Sequence, residues 1–173
     1  MHKRHHNLNL GESRGVMCRS RGERMNSSGR WLMVVEDNPD DEDLTRRAFA
    51  SSGCPEMLVI ARDGEEALEL LRKEASPALV LLDLKLPRLS GVEVLTEMKD
   101  DLRLRAIPVV VLTTSNMTSD IVACYELGCN AFVKKPLDYN EFIRVLSSTL
   151  GFWLNVNLTL ESLDHTLGVG HLV

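Results

Sequence analysis

The chain has 173 residues, 44% hydrophobic and 26% charged, which fits one globular domain with a real core and some tail. No apolar run approaches the roughly 20 residues that span a bilayer, so no membrane association is expected. The net charge of −5 hides an asymmetry: residues 1–30 carry seven Lys/Arg against two Glu, leaving 13 basic against 23 acidic residues for the rest, which argues against a nucleic-acid surface on the folded part.

The basic leader, residues 1–29, is rich in Arg, Ser, Gly, Asn and His and lacks the hydrophobic segment of a signal peptide, so it reads as a flexible solvated arm. His2, His5 and His6 lie in it without any further ligand to make a designed metal site. The four cysteines, Cys18, Cys54, Cys124 and Cys129, form no CxxC pair, and reduced thiols in the cytoplasm are the expectation. Order begins at residue 30. Trp31–Val35 is a short apolar strand that ends in Glu36-Asp37. Asn38 then suits an N-cap and Pro39 the first helical position. Asp40, Asp41, Glu42 and Asp43 fill the first turn, where the helix dipole favours negative charge. This helix runs to about Ser52, with Gly53 as its cap. Met57–Ala61 is a second strand. Asp63-Gly64-Glu65-Glu66 opens a second helix in capping-box form, with Ala67, Leu68 and Leu71 on its apolar face.

Leu79-Val80-Leu81-Leu82 is a third strand, apolar throughout, as suits a strand buried on both faces. It runs straight into Asp83. A buried carboxylate is costly without partners, so Asp83 belongs at the strand's exit, where a loop with Pro87 follows. Ser90-Gly91-Val92-Glu93 starts a third helix. Val109–Leu112 is the fourth strand and ends at Thr113-Thr114-Ser115. A helix from about Ser119 to Leu127 stops at Gly128. Ala131–Lys134 is the fifth strand, broken by Lys135-Pro136, and Asp138-Tyr139-Asn140-Glu141 opens a last helix that ends near Gly151.

Strand and helix alternate five times. Right-handed crossovers then give an α/β fold, a (βα)5 doubly wound parallel sheet with strand order 2-1-3-4-5. In that order the connection reverses between strands one and three. The crevice at this switch point opens beside Glu36, Asp37 and Asp83, with Thr113 and Lys135 at neighbouring strand exits. Three carboxylates together need positive charge among them. A hard divalent cation, Mg²⁺ before Ca²⁺, suits an all-oxygen site with few protein ligands. With an ammonium from Lys135 and a hydroxyl from Thr113, the set describes phosphoryl transfer to a carboxylate.

The stretches Val34-Val35-Glu36-Asp37-Asn38, Leu81-Leu82-Asp83-Leu84-Lys85-Leu86-Pro87, Pro108 to Thr113 and Val133-Lys134-Lys135-Pro136 resemble the receiver domains of two-component response regulators, a flavodoxin-like fold. The resemblance covers about Trp31 to Gly151. The stretches 113–115, 119–127 and 151–154 look like the small stand-alone regulators of bacterial phytochrome-type histidine kinases. The resemblance implies that Asp83 is the phosphoacceptor. It implies Mg²⁺ held by Asp37, by Asp83, by Glu36 through water and by the main-chain carbonyl of Lys85. It gives Thr113 and Lys135 the phosphoryl oxygens, Phe132 the aromatic switch position, and the Lys135-Pro136 bond a cis geometry. Lys135 is preferred over Lys134 because it directly precedes Pro136, and Thr113 over Thr114 because it directly follows the apolar strand.

The expected function is a single-domain response regulator, a switch rather than an enzyme, whose only catalysis is its own phosphorylation and dephosphorylation. A phosphorelay intermediate or a degenerate receiver acting as a constitutive binding module is the alternative. An Asp-nucleophile phosphatase would carry a second Asp where Lys85 stands. A flavin-binding module would carry a Gly/Ser/Thr-rich loop where Glu36-Asp37-Asn38-Pro39-Asp40 stands. After Gly151 only 22 residues follow, too few for a DNA-binding output domain, so no direct nucleic-acid partner is expected. The extension 152–173 opens with Phe152-Trp153-Leu154. From Asn155 to Leu160 it alternates polar and apolar as a strand does, and it either folds back or supports a homodimer. Residues after about Glu161 read as flexible.

Overall fold

The computed structural model describes residues 31–52 and 57–158; the expected leader, the Gly53 cap and the end of the C-terminal extension lie outside them. Five strands, β1 (Trp31–Val35), β2 (Met57–Ala61), β3 (Leu79–Leu82), β4 (Val109–Thr113) and β5 (Ala131–Lys134), form one parallel sheet in the order β2-β1-β3-β4-β5. The helices α1 (Pro39–Ser51), α2 (Gly64–Lys73), α3 (Gly91–Asp100), α4 (Thr118–Glu126) and α5 (Tyr139–Gly151) connect or follow them. The doubly wound α/β expectation holds in strand count, direction and order.

The unbroken apolar runs are explained by covering on both faces. Side chains alternate across a strand, so Met33, Val35, Val80, Leu82, Val109 and Val111 pack toward α2 and α3. Leu32, Val34, Leu79, Leu81, Val110 and Leu112 pack toward α1 and α5. The first helical turns are built as their sequences direct. Asn38 accepts the Asp40 N–H at 2.9 Å, and Ser90 and Glu93 form a reciprocal capping box. At α2 the expected box is altered. Asp63 accepts the Glu66 N–H, but the Glu66 carboxylate accepts the N–H of Arg62, one residue earlier.

Beyond α5 the strand-like expectation fails at Asn155 and Val156, while Thr159 and Leu160 lie outside the described residues. Phe152–Val156 is a π-helical turn that continues α5, closed by the Asn157 N–H donating to the Phe152 carbonyl at 2.8 Å. Leu154 inserts into the core beside α1 and α5. One buried leucine at helical spacing outweighs the local alternation. Among the described residues no helix is long and apolar enough to cross a membrane.

Candidate functional site

The sheet positions the site by extending its hydrogen-bond ladder one residue past the strand ends. The Asp83 N–H donates to the Val35 carbonyl at 3.1 Å and the Glu36 N–H to the Ala61 carbonyl at 2.9 Å. The Lys135 N–H donates to the Thr113 carbonyl at 2.8 Å. These residues therefore stand on fixed backbone at the switch point, where parallel sheets bind ligands.

Their side chains meet. The Lys135 ammonium, 3% exposed, donates to Glu36 Oε2 at 2.5 Å, to Asp83 Oδ2 at 2.6 Å and to Asp41 Oδ2 at 2.9 Å. The second Asp83 oxygen, Oδ1, accepts the Lys85 N–H at 3.1 Å. The ammonium thus lies among the carboxylates and ties β1, β3 and α1 to the end of β5. Burial pushes the Glu36 carboxyl up to about 7; Lys135 opposes that shift, and Asp83 and Asp41 add to it. Burial works to lower the Lys135 pKa, but the Glu36 and Asp83 carboxylates outweigh it and hold the ammonium above the ordinary lysine range.

Asp41 was not singled out from the sequence. Its place in an acidic first turn has a sufficient explanation in the helix dipole, yet that turn starts at the mouth of the crevice and aims one carboxylate back into it. Asp37 lies exposed at the exit of β1, and Lys85 is exposed beside Asp83. Lys134 and Thr114 point to solvent, whereas their neighbours Lys135 and Thr113 are buried. Thr113 Oγ1 accepts the Ser115 N–H at 3.3 Å, leaving its own O–H to donate. The Ser115 hydroxyl is bonded to the Asp120 carboxylate. Phe132, opposite Val111 on β5, is half-buried against the core on the α2–α3 side. The Lys135–Pro136 bond is trans, against the expected cis geometry.

Four carboxylates, Glu36, Asp37, Asp41 and Asp83, stand against one ammonium at this mouth, and the free donors are all oxygen. That set fits a hard cation. Among the described residues no three His, Cys, Asp or Glu side chains enclose a metal ion by themselves. What the mouth offers is a partial shell of carboxylate oxygens, of the kind a hard divalent cation completes with water.

The chain has clear relatives. It is 40% identical over 131 residues to the probable methanogenesis regulatory protein FilR2 of Methanothrix harundinacea, covering 73% of this chain and 84% of that protein. It is 36% identical over 129 residues to the response regulator Rcp1 of a Synechocystis strain, covering 71% and 88%. The Mn²⁺-bound crystal structure of Rcp1 superposes with a TM-score of 0.72 at 34% identity, over 75% of this chain and 98% of that one. The phosphorylated cyanobacterial phytochrome response regulator RcpA superposes with a TM-score of 0.73 at 37% identity, over 77% and 99%. The response regulator receiver domain profile matches residues 32–147, from the start of β1 into α5. With all five strand exits inside that match, the chain belongs to the response regulator receiver domains, the phosphoryl-accepting switches of two-component signalling.

Proposed function

We propose that Asp83 is the phosphoacceptor of a histidine kinase-dependent switch. The observation that carries this reading is its carboxylate, seated at the exit of the central strand, 7% exposed and 2.6 Å from the Lys135 ammonium. An oxygen of ionised Asp83 forms the new P–O bond as the P–N bond of a kinase phosphohistidine breaks. The electron pair stays on the imidazole nitrogen, which takes up a proton from water. Lys135 holds one phosphoryl oxygen by charge, and the Thr113 O–H, free to donate, holds another. Asp37, Asp83 and the Lys85 carbonyl, with Glu36 through water, would hold Mg²⁺, which neutralises the charge on the transferring group. The Mn²⁺-bound state of the relative Rcp1 supports a divalent cation here.

The output is a population shift. Bonds from Thr113 and Lys135 to the phosphoryl group favour one of two arrangements, and Phe132 on the adjoining strand moves with Thr113. The face built from α4, β5 and α5 exposes Val122 and Tyr125, and this is the surface that answers, through a homodimer or another protein. Likeness to RcpA supports a phytochrome-type kinase as partner. A cytoplasmic setting agrees with the free thiols of Cys124 and Cys129.

The test is incubation with a small-molecule phosphodonor and Mg²⁺, followed by intact mass. One adduct in the wild type, absent in Asp83→Asn and lost with EDTA, is the expected result. No adduct in the wild type, with the metal still bound, would turn the reading to a degenerate receiver that acts as a binding module. An adduct on both proteins would assign the chemistry to another carboxylate.

A further inference from the structure

The loop between β3 and α3 carries Asp83 at one end and the Lys85 carbonyl two residues on. Its two ends are pressed against neighbouring backbone. A Cβ at Gly91 would lie 2.1 Å from the Asp83 carbonyl oxygen and 2.7 Å from Leu84 Cα, so α3 begins flush against the phosphoacceptor's own main chain. A Cβ at Gly64, the first residue of α2, would lie 2.4 Å from the Leu89 carbonyl oxygen. The far end of the loop therefore rests on the start of α2.

Between these contacts Arg88 adopts φ 65°, the one positive value among the described non-glycine residues. A left-handed arginine is unfavourable and persists only where its surroundings over-determine it. An ion pair accompanies it. The Arg88 guanidinium meets the carboxylate of Asp63 and reaches Glu65 at 3.5 Å. Asp63 is 5% exposed and is already fixed, because it caps α2 by accepting the Glu66 N–H at 2.8 Å. A buried, immobile carboxylate on α2 thus holds the middle of the loop that follows Asp83.

We propose that the Arg88–Asp63 pair is a latch that positions the cation site. It holds the loop in the conformation that turns the Lys85 carbonyl to the metal, so that binding need not order it. Neither residue touches the reacting atoms; both act through the loop. The proposal rests on the assignment of that carbonyl to a divalent cation. Partners one layer removed from a metal commonly change its affinity by about 10- to 100-fold.

The test titrates Mn²⁺ alone into the full-length protein and follows the free ion by electron paramagnetic resonance. Wild type, Arg88→Asn, Asp63→Ser and the double variant are compared, and thermal unfolding in EDTA reports the fold. Asn accepts the left-handed conformation without the guanidinium, and Ser keeps the cap of α2 without the charge. Each single variant is expected to raise the Mn²⁺ dissociation constant about tenfold; the unfolding midpoint is expected to stay unchanged in Asp63→Ser and to fall in Arg88→Asn, which leaves the buried Asp63 carboxylate without its ion-pair partner. The double variant is expected to bind no more weakly than the weaker single one, because one pair has been broken. Equal affinity in wild type and Arg88→Asn would overturn the latch and leave the metal assignment standing. A lowered midpoint with unchanged affinity would also overturn it, since the pair would then serve the fold alone. A wild type that takes up no Mn²⁺ would overturn the latch and the metal assignment together.

Discussion

Lys85 has two separate attachments to the chemistry. Its N–H fixes one Asp83 oxygen at 3.1 Å, while its side chain stands exposed two residues past that carboxylate. The backbone bond survives any substitution except proline; the side chain does not. A long cationic chain at the mouth obstructs water on its way to a phosphoaspartate. Lys85→Ala is therefore expected to hasten loss of the adduct several-fold while leaving its formation intact. Time-resolved intact mass after removal of the phosphodonor measures this, and identical decay in both proteins would rule it out. At this scale the strand-end positions of Glu36, Asp83 and Thr113 were legible because each closes an apolar run, and that of Lys135 because it directly precedes Pro136. Asp41 was not, because its neighbours Asp40 and Glu42 share a helix start that already accounts for acidic side chains, and only the three-dimensional path of α1 shows which of them turns toward Lys135.

Strands were the most legible elements, since a run such as Leu79–Leu82 has no polar face and so needs cover on both sides. The π-helical turn was hidden because Asn155-Val156-Asn157-Leu158 alternates like a strand, and what decides its shape is the seat that Leu154 finds in the core. Asn130 shows how one side chain can set an element's start. Its Oδ1 accepts the Val109 N–H at 2.8 Å and its own N–H donates to the Val109 carbonyl at 2.8 Å, so it completes both main-chain groups at the first residue of β4. Val109 is fully buried, and water is a poor substitute there. Asn130→Ala keeps the main-chain bond and orphans the N–H, for an expected loss of about 1–3 kcal/mol. Urea unfolding monitored by circular dichroism reads this directly, and Asn130→Asp, which keeps the acceptor, should recover most of it.

For the molecule as a whole, the site is also a structural joint. One ammonium at the end of β5 holds carboxylates from the β1–α1 junction, 99 and 94 residues away, and from the exit of β3, 52 residues away, so distant parts of the chain close on a single atom. Removing that atom leaves Glu36 and Asp83 buried without their partner. Breaking such a pair costs about 3–5 kcal/mol in general, because the orphaned charge stays desolvated. Lys135→Met fills the space and removes the charge, and in EDTA it is expected to lower stability by about 3 kcal/mol. A divalent cation that binds only the folded form restores stability by mass action, by about 2.7 kcal/mol at a hundredfold excess over its dissociation constant. With the ammonium gone the cation meets less opposing charge, so Mg²⁺ should raise the unfolding temperature of Lys135→Met more than that of the wild type. Thermal unfolding of both proteins, with and without saturating Mg²⁺, decides the point. A smaller Mg²⁺ effect in the variant would mean that Lys135 supports the cation site by shaping it instead of competing with the cation for the same carboxylates.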